Sequence, residues 1–417
     1  MNSYDVIIIG GGPAGLASAI SCYDNGVKNI LILERERELG GILNQCIHNG
    51  FGLARFKESL TGPEYAERFI DGVKKRNIKF LTETTVLSIS RDKTVTAING
   101  SDGVFTLSGK AIVLAMGCRE RSRGALNVAG TRPAGVYSAG TAQKYVNILG
   151  YMPGKSVVIL GSGDIGLIMA RRMTLEGAKV HAVCEIMPHS SGLKRNIVQC
   201  LDDFNIPLYL NHTIVKIEGD KRVTGVVIAR VDENRKPIKG TEIHFDCDTV
   251  LFSVGLIPEN ELSKTCGVEL SPKTKGAVVY ENRETSVEGV FACGNVLQVH
   301  DLVDFVSKEA EIAGKSASQY VKNGEADREI INAVCGDNVS YVLPQKINVK
   351  SNENVELFFR VNKVIKNCTV LVECNGKIVV QKKKKICVPG EMETALLLLD
   401  KLGNLSGDIT VTVKGDV

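Results

Sequence analysis

The chain has 417 residues, and 51 Lys and Arg against 47 Asp and Glu leave a formal charge of +4. At about 150 residues per domain this length accommodates two or three domains. A near-balanced charge without a basic or acidic tail argues against nucleic acid as the main partner, and 42 glycines, no tryptophan and 5% aromatic residues fit an α/β nucleotide-binding protein.

The N-terminus passes from Met1-Asn2-Ser3-Tyr4-Asp5 straight into an apolar run at 6–9, without a basic n-region or a long h-region, so no signal peptide is expected. No apolar stretch reaches the roughly 18 residues of a membrane helix. The expected setting is therefore cytoplasmic, with no membrane span and reduced cysteines. None of the 12 cysteines forms a C-x-x-C pair, which argues against a zinc ribbon, a cluster-binding run and a thioredoxin-type dithiol, and no metal site is expected.

Residues 6–34 overlay residues 157–185 at a shift of 151 without a gap, and ten positions are identical, among them Gly10/Gly161, Gly12/Gly163, Gly15/Gly166 and Glu34/Glu185. Each copy reads as a buried strand, a G-x-G-x-x-G turn, a helix, a second strand and a closing glutamate. The first glycine allows the tight turn, the second lets backbone approach a pyrophosphate, and the third lets helix and strand pack closely. The helix N-terminus then faces the phosphates with favourable N–H groups and dipole. Residues Pro13 and Ala14 in the first copy, and Asp164 and Ile165 in the second, complete the two turns.

Beyond about residue 335 the pattern changes to short β-rich runs at 339–343, 355–361, 369–373, 377–381 and 409–413. Asn375-Gly376 signals a two-residue hairpin, and 337–338 and 351–354 read as turns. A small all-β, sandwich-like domain over 335–417 follows, joined near 332–337, with the lysine run 382–385 as a solvated strand face.

With both repeats placed, residues 3–325 resemble the flavoproteins with two dinucleotide-binding domains, the pyridine nucleotide-disulfide oxidoreductase superfamily that includes the thioredoxin and disulfide reductases. The resemblance implies an α/β fold of two Rossmann-like domains: a discontinuous FAD-binding domain at 1–120 and 250–330, and an inserted NAD(P)-binding domain at 121–249. It assigns FAD to Gly10, Gly12, Pro13, Ala14, Gly15, Glu34 and Arg35, and to the doublet Gly40-Gly41. Residues 111–117 (AIVLAMG) resemble the strand that leaves the FAD domain, contributing Ala115 and Gly117, with Met116 replacing the usual threonine. Residues 285–295 (TSVEGVFACGN) resemble the late FAD motif, contributing Gly294 and Asn295; asparagine replaces an aspartate that bonds the ribityl chain, and its amide retains that capacity.

The same resemblance assigns NAD(P)H to Gly161, Gly163, Asp164, Ile165, Gly166 and Glu185, and to Gly255 in 250–258 (VLFSVGLIP). Glu185 lacks an adjacent arginine, which favours NADH, although Lys194 and Arg195 follow nearby. The paired cysteines of the reductases are missing. Cys46 and His48, in the segment after the doublet, are candidates for a thiolate and an acid/base group, and a small buried thiol beside a hydrogen-bonded histidine is the structural alternative. Cys293 reads as a small buried side chain. His300 reads either as an added positive group near the flavin or as a cap or surface residue, and Arg119, Arg121 and Arg123 as phosphate contacts or crossover salt bridges.

The segment 132–143 (RPAGVYSAGTAQ), the C-G-N ending and the run 299–304 (VHDLVD) look like the flavoprotein subunits that accompany opine, amine and glycerol-3-phosphate dehydrogenases. The implied activity is hydride exchange between NAD(P)H and FAD, with electrons passed to an unidentified acceptor or a partner dehydrogenase. The alternatives are a non-catalytic electron-transfer or docking component of such a complex, for which the β domain offers a docking surface, and a nucleotide-binding protein that has lost the chemistry.

Overall fold

The structure is a computed structural model that describes residues 2–351, 353–399 and 407–415. The chain divides into two compact units, one of residues 1–44, 49–118 and 258–417 and one of residues 45–48 and 119–257.

In the first unit a parallel sheet runs in the order Lys79–Leu81, Ile30–Leu33, Asn2–Ile9, Gly103–Leu114, Val290–Ala292. The inner halves of these strands are buried on both faces, which is why they read as unbroken Ile/Val/Leu runs. Strands Thr85–Ile89 and Thr94–Asn99 extend the sheet as an antiparallel meander against the first half of Gly103–Leu114. Helix Gly62–Lys75 begins with a capping box between Thr61 and Glu64 and buries Tyr65, Ala66, Phe69, Ile70 and Val73 along one face.

Helices Pro13–Asp24 and Val303–Asn323 pack backbone against backbone at Gly314. A Cβ on Gly314 would stand 2.3 Å from the Ser18 carbonyl oxygen, and Ser21 Oγ donates to the Glu311 carbonyl at 2.7 Å. This contact anchors the long helix behind the first glycine turn.

In the second unit five parallel strands run in the order Val136–Ser138, Thr249–Phe252, Ser156–Leu160, Lys179–Glu185, Leu208–Leu210. A separate sheet is built from Ala129–Gly130, His212–Gly219, Val223–Arg230 and Ile243–Asp246. Strand Thr249–Phe252 therefore belongs to this unit and not to the FAD-binding portion expected to resume at 250. It is paired on both edges inside the second sheet, so the chain changes units only after it.

Residues 330–415 build two facing sheets. One is ordered Lys346–Asn348, Ile330–Cys335, Ile409–Gly415, Ile365–Cys374, Lys377–Cys387, and the other Val339–Leu343, Val355–Val361, Glu393–Leu397. Their inward residues, including Val342, Leu357, Phe359, Val370, Val372, Leu397 and Val411, share one core. The sandwich begins earlier than the sequence suggests: the expected joint at 332–337 is largely strand, because Ile331 and Ala333 alternate inward. Asn375 and Gly376 both have positive φ, at 49° and 73°, as the hairpin signal requires. The lysines at 382–385 lie on strand Lys377–Cys387, with Lys384 paired to Glu393. Of the expected 351–354 turn, residue 352 lies outside the described residues, as do residues 400–406 and 416–417 of the sandwich. Among the described residues no helix is long and apolar enough to cross a membrane.

The crossing at Gly314 yields a prediction for packing. Gly314→Ala should destabilise the protein by about 1–3 kcal/mol in denaturant unfolding, as overpacking of a closed contact does; an unchanged midpoint would show that the two helices part freely.

Candidate functional site

The first glycine turn is set by backbone crowding. Gly10 has φ +107°, and an added Cβ would lie 2.5 Å from the Ala115 carbonyl oxygen; on Gly15 it would lie 1.8 Å from the Gly10 carbonyl oxygen. Gly12 is different: its φ is −78°, open to any residue, and an added Cβ would meet nothing nearer than Gly41 Cα at 3.8 Å. The protein's own packing therefore does not require glycine there. Helix Pro13–Asp24 starts at Pro13, has no capping side chain and carries no acid in its first turn, so no side chain of the helix itself offsets its positive end.

Buried Glu34 closes this turn. Its Oε2 accepts from the Gly11 N–H at 2.6 Å and its Oε1 from the Glu36 N–H at 2.8 Å, which leaves acceptor capacity on both oxygens. The doublet is stitched to the same place: Gly40 N–H donates to the Gly11 carbonyl at 2.8 Å, and a Cβ on Gly41 would stand 2.9 Å from Gly12 Cα.

The second turn repeats this construction 151 residues on. Gly161 has φ +100°, an added Cβ there would meet the Ser253 carbonyl oxygen at 1.9 Å, and one on Gly166 would meet the Gly161 carbonyl oxygen at 2.4 Å. Gly163, with φ −67°, again has only ordinary contact, 3.7 Å from Ser191 Oγ. Glu185 accepts from the Ser162 N–H and hydroxyl at 3.0 and 2.6 Å and from the Met187 N–H at 3.0 Å. The two turns differ in charge. Asp164 stands in the first turn of helix Asp164–Leu175, but its Oδ1 is taken by the Leu193 N–H at 2.8 Å and the Asn196 amide at 2.7 Å. These bonds bring the exposed Lys194 and Arg195 beside the second turn, which sequence distance alone does not reveal. Ile165 packs half-buried on the core of this unit.

The remaining predicted FAD residues gather around the first turn. Ala115 N–H donates to the Ile9 carbonyl at 2.9 Å, and Gly117 has φ +75° with no atom within 4 Å of an added Cβ. Gly294 has φ +73°, and a Cβ on it would press on Ala14 at 2.7 Å. Asn295 Oδ1 accepts from the His300 N–H at 3.0 Å, while its amide lies 3.6 Å from Cys118 Sγ. Arg35 is exposed. Gly255, in the second unit, has φ +100°, and its carbonyl accepts from the Arg121 N–H at 3.0 Å.

A further buried group is not legible in the sequence. Glu309, fully buried on helix Val303–Asn323, accepts from the Gly294 N–H at 3.0 Å and the Gln298 amide at 3.0 Å, and pairs with Arg283 at 3.3 Å and His300 at 3.4 Å. Burial would raise its carboxyl, yet His300 and Arg283 hold it below the usual carboxylate range. The His300 side chain is 1% exposed, and its Nδ1 has no hydrogen-bond partner. This corrects the surface and capping alternatives for His300, because the N-cap of the helix is Leu302.

Segment 45–48 belongs with the second unit. Gln45 Nε2 donates to the Gly140 carbonyl at 2.9 Å and to Gln143 Oε1 at 3.0 Å, and Asn147 Nδ2 returns a bond to the Gln45 carbonyl at 2.8 Å. The Cys46 thiol, 3.8 Å from Gln143 Oε1, is pushed up to about 12 by burial, so it is protonated near neutral pH. His48 is lowered first by burial, then by Arg195 and Arg171 against an opposing pull from Asp164, and so is neutral at pH 7. Cys293 is buried, and its thiol is raised well above the ordinary value. Arg123 donates to the Val128 and Gly130 carbonyls, and Arg119 and Arg121 are exposed. None of the 12 cysteines is in a disulfide.

A dinucleotide fits both turns on two observations: the middle glycines leave unfilled the space a Cβ would take, and His300 Nδ1 is a buried polar atom without a partner beside Asn295. Comparison with known proteins agrees. The pyridine nucleotide-disulphide oxidoreductase family model matches residues 4–317. An opine oxidase subunit from Agrobacterium tumefaciens is 24% identical over 337 residues, covering 76% of this chain and 64% of its own. Thioredoxin reductase of Listeria innocua is 27% identical over 329 residues, covering 76% of this chain and 94% of its own. Among solved structures, T. acidophilum thioredoxin reductase superposes with a TM-score of 0.63 at 26% identity, covering 76% of this chain and 99% of its own. With its two glycine turns built alike and three quarters of its length matched, the chain belongs to the pyridine nucleotide-disulphide oxidoreductase family.

Proposed function

We propose that this protein is an FAD-dependent NAD(P)H oxidoreductase that takes hydride from a reduced nicotinamide and passes electrons outward, with FAD on the first turn and the nicotinamide dinucleotide on the second. The observation that carries the reading is the duplicated turn, in which glycine stands at 12 and 163 although the protein's own packing leaves room for a side chain. FAD, when bound, supplies the two-electron chemistry.

The chain's part is to bind and orient. The N–H groups of Ala14 and Gly15 and the helix dipole would hold a pyrophosphate, and Glu34, aimed by the Gly11 and Glu36 N–H groups, has acceptor sites for ribose hydroxyls. Glu185 plays the matching part at the second turn and opposes a 2′-phosphate by charge, which favours NADH; Lys194 and Arg195 pull the other way. The Cys46 thiol, held protonated, gives no support to the thiolate role expected of it, and we propose that it is structural; neutral His48 remains the acid/base candidate.

A second reading, an electron-transfer subunit that works beside a partner dehydrogenase, draws on two observations. The matched residues 4–317 carry no C-x-x-C pair of the thioredoxin-reductase kind, and the opine oxidase relative is itself a subunit.

Purified protein should carry, or take up, FAD with a flavin absorption spectrum, and anaerobic NADH should bleach it faster than NADPH. Protein that stays colourless after incubation with FAD would sink both readings, whereas flavin that neither nucleotide bleaches would favour the electron-transfer role beside a partner. Gly12→Ala should leave the FAD-free protein within about 0.5 kcal/mol of wild-type stability and weaken FAD binding at least tenfold; unaltered binding would remove the argument from the open Cβ position. Cys46→Ser should keep the rate of NADH-driven bleaching within about twofold, and a loss beyond tenfold would restore the thiol to the chemistry.

A further inference from the structure

The family match ends at residue 317, and nothing in it accounts for the β sandwich at 330–415. Within the first unit this sandwich is seated on the 299–301 turn, just after Asn295 in the chain. Arg360, from strand Val355–Val361, pairs with Asp301 at 2.5 Å and donates to the Val299 carbonyl at 3.1 Å, so it grips the residues on both sides of His300. Asp301 is held a second time by the Met392 N–H at 2.6 Å. Arg360 is itself fixed in the sandwich by the Tyr341 hydroxyl at 3.2 Å and the Gly390 carbonyl at 2.5 Å. The clamped residue in the middle, His300, is the one whose N–H bonds Asn295 at 3.0 Å.

Phe358, two residues before Arg360, makes the second contact. Its ring meets His300 edge-on at 6.4 Å and lies 5.8 Å from the Arg283 guanidinium carbon. The side chains of Arg283, Glu309 and His300 are 1%, 0% and 1% exposed, so the sandwich helps to seal a charged cluster that reaches Gly294 through its backbone N–H. A sealed cluster acts at low dielectric, where its charges are felt most strongly.

We propose that the β sandwich is a working part of the flavin site: Arg360 and Phe358 are positioning residues that hold the 299–301 turn and the Arg283–Glu309–His300 cluster, and through them Asn295 and Gly294, in the arrangement that binds FAD. This rests on the FAD reading above and goes beyond it, because it assigns a role to a domain that lies outside the family match. It stands beside the expectation that the β domain offers a docking surface for another polypeptide.

The test uses the full chain. FAD dissociation constants and flavin midpoint potentials are measured for wild type, Arg360→Ala, Arg360→Lys, Asp301→Asn and Phe358→Ala, each first checked for folding by circular dichroism. Arg360→Ala and Asp301→Asn should raise the FAD dissociation constant about tenfold or more, as loss of one partner of a part-buried charge pair does, with Arg360→Lys recovering part of the loss. Phe358→Ala, which opens the charged cluster to water, should shift the midpoint potential. Should Arg360→Ala fail to fold, Asp301→Asn decides, since it keeps the side-chain shape and leaves the sandwich's internal bonds intact. A wild type that binds no FAD defeats the cofactor reading itself. A wild type that binds FAD, beside folded variants with the same affinity and potential, defeats only the role given to the sandwich.

Discussion

Both units depend on one constraint: a helix must leave the end of a strand with no side chain between them. At Gly15 and Gly166 the missing Cβ would fall 1.8 and 2.4 Å from the carbonyl oxygen of the glycine five residues earlier. No rotamer adjustment relieves a clash with backbone, so any larger residue would push the helix off its strand. Because the helix stays close, its N-terminus and the strand end form one rim, and the carboxylate of the next strand can reach back to the turn's N–H groups. The same three positions are bonded in both copies, Gly11, Glu34 and Glu36 in one and Ser162, Glu185 and Met187 in the other. The geometry of each rim follows from that single close approach.

The first rim is then reinforced from behind. Gly314 lets helix Val303–Asn323 lie against helix Pro13–Asp24, which brings Glu309 to the Gly294 N–H and so to the segment before Asn295. A fully buried carboxylate is tolerated because the Arg283 guanidinium, the His300 imidazole and two N–H donors surround it, and removing Arg283 would leave a buried charge unpaired. The β sandwich closes this cluster with Phe358 and pins the adjoining turn with Arg360. The bonds that seat the sandwich also hold the 299–301 turn, whose His300 N–H bonds Asn295.

Much of the fold is legible in the sequence because its signals are local. Glycines whose φ is positive, apolar strands of four or five residues and a closing acid recur at one spacing, and a repeat without gaps leaves little freedom in how each copy folds. Asn375-Gly376 announces its hairpin for the same reason. Boundaries are less legible: Thr249–Phe252 reads like any buried strand, and only its two neighbours in the sheet assign it to the second unit. Residues 332–337 read as a joint, yet strand Ile330–Cys335 runs through most of it, with Ile331 and Ala333 alternating into the sandwich core.

The sequence by itself determined that two G-x-G-x-x-G turns exist, where they lie and that no C-x-x-C pair accompanies them, since each of these is a matter of residue type at short spacing. Only the tertiary structure decided which glycines the protein itself requires, that Gln45 and Cys46 lie on helix Ala139–Asn147, and that Arg360 grips the turn around His300, 60 residues earlier in the chain. Those outcomes depend on contacts between segments far apart in sequence. Burial and charge pairing there are settled by how sheets and helices stack, which no local pattern encodes.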